Sequence, residues 1–276
     1  TMPELIARVK AAKSLMRRHD ELLESSQPIG QDVAVSCKRE IALDHVTASY
    51  GGAEPALKDF SYAFRARGCY AVLGESGSGK TTLLNLLTGF HRQYNGDIRY
   101  DDVVIRDVSN ESLCQIMSVI DQDVFIFDAT IAENISMFHP CSDAALQDAA
   151  RKAGLSSLIE QKGWGYRCGE NGNQLSGGEK QRVALTRSIL QGTDVLFFDE
   201  VTSALDAKTG HQVMETIQNM TGQTRIVITH DIYPDLMDSF DAVLVQKDGQ
   251  LAEAGTFTDL MAKQSVCYHL VNKSIS

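Results

Sequence analysis

No apolar run in the sequence is long enough to cross a bilayer as a helix, and no N-terminal stretch is built like a signal peptide. Its six cysteines (37, 69, 114, 141, 168 and 267) include no C-x-x-C pair. That argues against a metal ribbon or a disulfide framework and reads as reduced thiols in a cytosolic setting. Positive charge is also short, with 26 Lys and Arg against 36 Asp and Glu and a formal net charge of −10. A broad nucleic-acid surface does not fit that balance. Tryptophan occurs once, at Trp164 between Gly163 and Gly165, where local packing is the better reading than a ligand contact. What is present is ordinary for a globular protein: 276 residues, 43% hydrophobic and 22% charged, enough for one large domain or two small ones.

At the N-terminus, Leu5, Ile6, Val9, Ala12, Leu15, Met16, His19, Leu22 and Leu23 recur at helical spacing. Arg8, Lys10, Lys13, Arg17 and Arg18 make this segment basic within an acidic chain. Thr1 falls inside the pattern, which reads as a piece of a longer polypeptide. Two readings stay open: a solvated helix resting on the domain, or a helix descending from a membrane surface. The polar stretch from Ser25 to about Cys37, with Pro28 and Gly30, reads as a linker.

Gly74-Glu75-Ser76-Gly77-Ser78-Gly79-Lys80-Thr81, with Thr82 following, fits the phosphate-loop pattern. Tyr70 to Leu73 reads as a buried strand before it. Leu83, Leu84, Leu86 and Leu87 give a helical face after it, ended by Gly89. Glycines let backbone N–H groups approach phosphate oxygens, and a helix N-terminus adds partial positive charge. Lys80 can reach the β- and γ-phosphates, and the Thr81 hydroxyl can ligate Mg²⁺. This is a nucleotide site.

Other chemistry falls at strand ends. Met117 to Ile120 reads as a strand followed by Gln122, which can offer a neutral oxygen to Mg²⁺. Val195 to Phe198 runs into Asp199 and Glu200; Asp199 suits Mg²⁺ ligation, and Glu200, pointing the other way, can activate water. Arg225 to Thr229 is a further strand, with His230 at its end. Leu175-Ser176-Gly177-Gly178-Glu179 opens a helix and makes a second anion-binding tip, and Ser203-Ala204-Leu205-Asp206 opens another helix. Ile41 to Tyr50 and Phe60 to Phe64 alternate like antiparallel strands. Tyr50 is either a strand-end aromatic or a platform for adenine. Ser142 or Asp143 caps a helix closed at Gly154, and Asn95-Gly96-Asp97 reads as a hairpin turn.

Together these residues resemble the nucleotide-binding domain of ATP-binding cassette (ABC) transporters. The matching elements are the phosphate loop, Gln122, the Leu175 to Glu179 signature, Asp199-Glu200, Ser203 to Asp206 and His230, in the family's order. The segments Gln122 to Phe127, Thr130 to Ile135 and Gly169-Glu170-Asn171-Gly172 are similar to the exporter branch. Asp121, Glu179 and Asp231 depart from the usual proline, glutamine and arginine. The resemblance implies an α/β P-loop NTPase core with a mixed sheet, an antiparallel β subdomain and an α-helical subdomain (about 123–192) within a nucleotide-binding domain at 37–276. Residues 1–36 are then a helical linker from a transmembrane domain that is N-terminal in the full-length chain.

The resemblance also implies an ATPase using ATP and Mg²⁺, on the cytoplasmic face of the cell membrane, with no nucleic-acid partner. Glu200, His230 and Lys80 would be catalytic. Tyr50 and residues 74–82 would bind ATP, and Thr81, Gln122 and Asp199 the metal. Ser176, Gly177, Gly178 and Glu179 would reach ATP held by the other copy in an ATP-dependent homo- or heterodimer, with Ser203 to Asp206 at the dimer contact. A soluble ABC ATPase acting on ribosomes or DNA is the alternative, though it usually carries two cassettes or a coiled-coil insertion. A P-loop kinase leaves the signature and His230 unexplained.

Overall fold

A computed structural model describes residues 33–51 and 54–275. The expected helical linker at 1–36 lies almost wholly outside the described residues. The strands are β1 (Glu40–Ala48), β2 (Leu57–Arg65), β3 (Cys69–Leu73), β4 (Tyr94–Tyr100), β5 (Val103–Val104), β6 (Met117–Ile120), β7 (Val195–Asp199), β8 (Thr224–Ile228), β9 (Ala242–Lys247) and β10 (Gln250–Gly255). They form two sheets. One is antiparallel, in the order β2-β1-β4-β5; the other is mixed, in the order β10-β9-β3-β8-β7-β6, parallel except for β10.

Strand periodicity assigns side chains to the two faces of the mixed sheet. Tyr70, Val72, Val195, Phe197, Ile226, Ile228 and Leu244 face α1 (Lys80–Leu87), which brings Leu83, Leu84, Leu86 and Leu87 and lies between the two sheets. The alternate residues, among them Ala71, Leu73, Leu196, Phe198, Val227, Val243 and Val245, build a second core on the opposite face. α2 (Asn110–Ile116) leads into β6.

Between β6 and β7 the chain makes α3 (Ile131–Ser136), α4 (Asp143–Lys152), α5 (Ser156–Lys162) and α6 (Gly177–Gln191). These enclose a third apolar cluster of Ile126, Ile131, Ile135, Leu146, Leu155, Leu158 and Val183. Trp164 packs against it, half-buried. Ser142 is the residue that caps α4, accepting from the Ala145 N–H at 3.2 Å. After β7 come α7 (Ala207–Asn219), α8 (Pro234–Met237) before β9, and α9 (Phe257–Ala262) and α10 (Val266–Ile275) after β10.

One local expectation is corrected. Asn95-Gly96-Asp97 is not a hairpin turn; it lies inside β4, paired with β1, opposite a register shift between Asp44 and Thr47. Gly96 is there because β1 comes too close for a side chain: a Cβ would sit 2.4 Å from the His45 carbonyl oxygen.

Candidate nucleotide site

Because β3, β6, β7 and β8 run parallel, their carboxyl ends share one edge of the sheet. Val72 pairs with Ile228, and Ile228 with Asp199, so β7 ends two strand spacings, about 10 Å, from the start of the phosphate loop. The loop itself is the turn from β3 into α1. Gly74 and Gly79 are forced by close approach: a Cβ on either would lie 2.4 Å from the Gln246 carbonyl or 2.6 Å from that of Ala56. Gly77, at φ +79°, meets nothing within 4 Å, so that part of the loop is open. Gly79 caps α1 without a side-chain hydrogen bond, which leaves first-turn N–H groups available to an anion.

The Lys80 ammonium is buried and donates to the Gly74 and Glu75 carbonyls at 2.8 and 3.0 Å. Burial lowers its pKa, and the charges of Glu200 and Asp199 pull it back up. Glu75, Ser76 and Thr81 are exposed, while Ser78 and Thr82 are buried. Asp199, half-buried at the end of β7, has its pKa raised first by burial and then by the charges of Glu200 and Asp121. Glu200 has left the strand: at φ +50° its backbone is left-handed, and its N–H donates to the Ile228 carbonyl at 2.9 Å. That bend aims the side chain, not strand alternation. Glu200 Oε1 lies 2.7 Å from His230 Nε2, and both side chains are partly open to solvent.

Gln122 is exposed, and its carbonyl accepts from Gln181 Nε2 of α6 at 2.9 Å. Tyr50 is 52% exposed; its ring lies 4.4 Å from that of His91, and its hydroxyl accepts from Asn85 at 3.3 Å. The second anion tip is locally tied. Ser176 N–H donates to the Glu179 carboxylate at 2.6 Å, and Glu179 N–H donates to Ser176 Oγ at 3.3 Å, a reciprocal cap that starts α6. Gly177 and Gly178 lie against Leu205 and Thr209, and Ser176 and Gly177 are exposed. Ser203 Oγ donates to the Glu200 carbonyl at 2.7 Å, Ala204 is exposed, and Asp206 caps α7 by accepting from Thr209 N–H at 3.1 Å.

The fold thus brings Lys80, Asp199, Glu200 and His230 to one edge, while the Ser176 to Glu179 tip belongs to the helical part. Sequence reasoning overlooked His91 and Asn85 beside Tyr50. It also overlooked Gln181 and Arg187, which tie α6 to the Gln122 segment; polar positions within an amphipathic helix carry no mark of what they touch. The residues suit a triphosphate with Mg²⁺. The glycine cradle admits phosphate oxygens, Lys80 supplies positive charge, and a cation relieves the crowding of carboxylates around Asp199.

The family profile described as "ABC transporter" matches residues 57–203, just over half of the chain. This chain belongs to the ABC transporter family. Its fold is that family's ABC ATPase fold, and the nucleotide it uses is ATP. One relative of this ABC domain is the "Iron-sulfur clusters transporter atm1, mitochondrial" of Aspergillus fumigatus, 38% identical over 239 residues, which covers 84% of this chain and 33% of the relative. Another is the "ATP-dependent lipid A-core flippase" of Acinetobacter baylyi, 34% identical over 236 residues, covering 84% of this chain and 41% of that one. Among solved structures, a bacterial Atm1-family ABC exporter with ATP bound superposes with a TM-score of 0.81 at 30% identity, over 97% of this chain and 48% of that chain. The ABC domain therefore spans about a third to two fifths of the length of these two curated relatives.

Proposed function

We propose that this ABC domain is the ATP-hydrolysing module of an exporter. Two copies, identical or not, close around ATP and drive membrane domains that lie N-terminal in the same full-length polypeptide, with the module on the cytoplasmic face. The observation that carries the reading is a division within one chain. Lys80, Glu200 and His230 gather at one sheet edge, while a second phosphate-binding helix tip, with Ser176 and Gly177 exposed, sits on the helical part.

In this reading the phosphate loop, residues 74–82, grips the triphosphate, and Tyr50 offers its exposed ring to adenine. Lys80 neutralises phosphate charge, Glu200 takes a proton from the attacking water, and His230 holds that water and the γ-phosphate. Thr81, Gln122 and Asp199 would hold Mg²⁺, which supplies charge stabilisation at the phosphates. Ser176, Gly177, Gly178 and Glu179 of one copy cover ATP on the other, and Ser203 to Asp206 line the contact. Hydrolysis removes the bridging phosphate, so the copies part and the attached membrane domains change state.

An apolar ridge beside Gln122 supports a membrane-domain partner. Phe125 and Phe138 are 59% and 57% exposed, and Phe127 touches both rings at 4.8 and 5.4 Å. The Gly169 to Gly172 turn packs beside it, with Gly172 against Ile126. Relatives named for iron-sulfur clusters and for lipid A-core share this domain, so cargo choice belongs to the rest of the polypeptide.

Glu200→Gln tests the reading. It is expected to keep ATP binding, cut hydrolysis by roughly 10²-fold or more, and accumulate an ATP-bound dimer in size-exclusion chromatography. Lys80→Ala, run beside it, is expected to lose ATP binding by calorimetry. Wild-type turnover by Glu200→Gln removes Glu200 from its role.

A further inference from the structure

Asp231 follows His230 directly, at a place where the family resemblance leads one to expect arginine. Its carboxylate accepts a 2.7 Å hydrogen bond from the hydroxyl of Thr202, which is 2% exposed. The Asp231 N–H donates to Thr229 Oγ1 at 2.9 Å, and that hydroxyl faces the Asp231 carbonyl at 3.3 Å. Tyr233 closes the cluster: its hydroxyl meets Thr202 and fills the space that a Cβ on Gly210 would need, 2.2 Å away. Three pieces of chain meet here: the turn after β7, the turn after β8, and α7.

Three of the bonds that anchor the Glu200 turn matter here. Its N–H bonds the Ile228 carbonyl, its carbonyl accepts from Ser203 Oγ, and Thr202, two residues on, bonds Asp231. The first two hold the Glu200 backbone in its left-handed conformation. The first reaches β8 two residues before His230, and the third ties the turn to the residue directly after it, so the two bracket His230, the partner of the Glu200 carboxylate at 2.7 Å. Arginine has donors and no acceptor, so it could not receive the Thr202 proton.

We infer that Asp231, acting through the buried Thr202 hydroxyl, is a positioning residue for ATP hydrolysis, locking the Glu200 turn to the His230 turn. The inference rests on the roles proposed above for Glu200 and His230. A side chain displaced by about 1 Å can cost on the order of 10²-fold in rate, and the remaining anchors limit the loss here to about tenfold.

The test uses the full-length protein. Asp231→Ala and Thr202→Val are each expected to lower kcat for ATP hydrolysis about tenfold, with the KM for ATP within about twofold of wild type. The double variant is expected to be no slower than Thr202→Val alone, because losing the Thr202 hydroxyl already breaks the link to Asp231. Asp231→Asn and Thr202→Ser, which keep the acceptor and the donor, recover most of the loss. Adding Asp231→Ala to Glu200→Gln costs nothing further, since the positioned group is already gone. Wild-type kcat in either single variant, losses that multiply in the double one, or a change confined to KM overturns the inference. If Asp231→Ala does not fold, Thr202→Val with its Thr202→Ser rescue decides. A protein in which Glu200→Gln hydrolyses ATP at the wild-type rate brings down the proposed function together with this inference. Glu200→Gln inactive beside fully active Asp231→Ala and Thr202→Val overturns the inference alone.

Discussion

At Asp199 the demands of ligand binding oppose those of folding. The carboxylate is half-buried with Glu200 and Asp121 nearby, and its pKa is raised by that burial and those charges. A carboxyl whose pKa is higher folded than unfolded destabilises the fold when ionised. The cost is full at neutral pH, shrinks as pH falls through the raised value, and is gone below roughly pH 3.9, where the unfolded chain is protonated as well. Nucleotide-free Asp199→Asn is therefore expected to melt about 1–3 °C higher than wild type at neutral pH, with the gain vanishing near the acid end. A lower melting temperature at neutral pH contradicts this account. The carboxylate's place was legible in the sequence because four apolar residues lead directly into it. The aim of Glu200 was not, because it depends on a left-handed backbone held by Ile228 and Ser203 from outside the strand.

At the scale of elements, Asn134 shows how the helical part is joined to the glutamine segment. Fully buried in α3, it receives the Phe127 N–H at 2.8 Å and Arg187 Nη2 at 2.9 Å, and its amide donates to the Phe127 and Thr130 carbonyls at 3.0 and 3.1 Å. Arg187 of α6 also bonds the Asn134 and Phe125 carbonyls, both at 2.7 Å. Asn134→Ala strands several buried polar groups and is expected to cost about 2–4 kcal/mol in urea-induced unfolding. A loss under about 0.5 kcal/mol shows that water replaces the amide. Caps and apolar faces were legible because they are local: Ser142, Ser176 and Asp206 sit where their helices begin. Gly96 was misread because the same dipeptide chemistry serves a hairpin and a bulge; only the neighbouring strand at His45 distinguishes them.

For the whole molecule, charge bears on assembly. Each copy carries a formal −10, so two copies repel before their sites engage. Dimerisation of the Glu200→Gln form with ATP is expected to tighten several-fold as salt rises from roughly 50 to 300 mM, as the screening length shrinks. Sedimentation velocity reads this directly; weaker association in salt says instead that local opposite charges dominate the contact. The sequence by itself determined the strand–loop–helix around Lys80, the second anion tip at Ser176, and the strand ends that carry Asp199 and His230. Each of these is written in consecutive residues whose periodicity and glycine content act locally. Only the tertiary structure decided that Glu200 meets His230, that Thr202 is tied to Asp231, and that Arg187 braces Asn134. Those pairs lie 29 to 53 residues apart, and sheet order and helix packing bring them together.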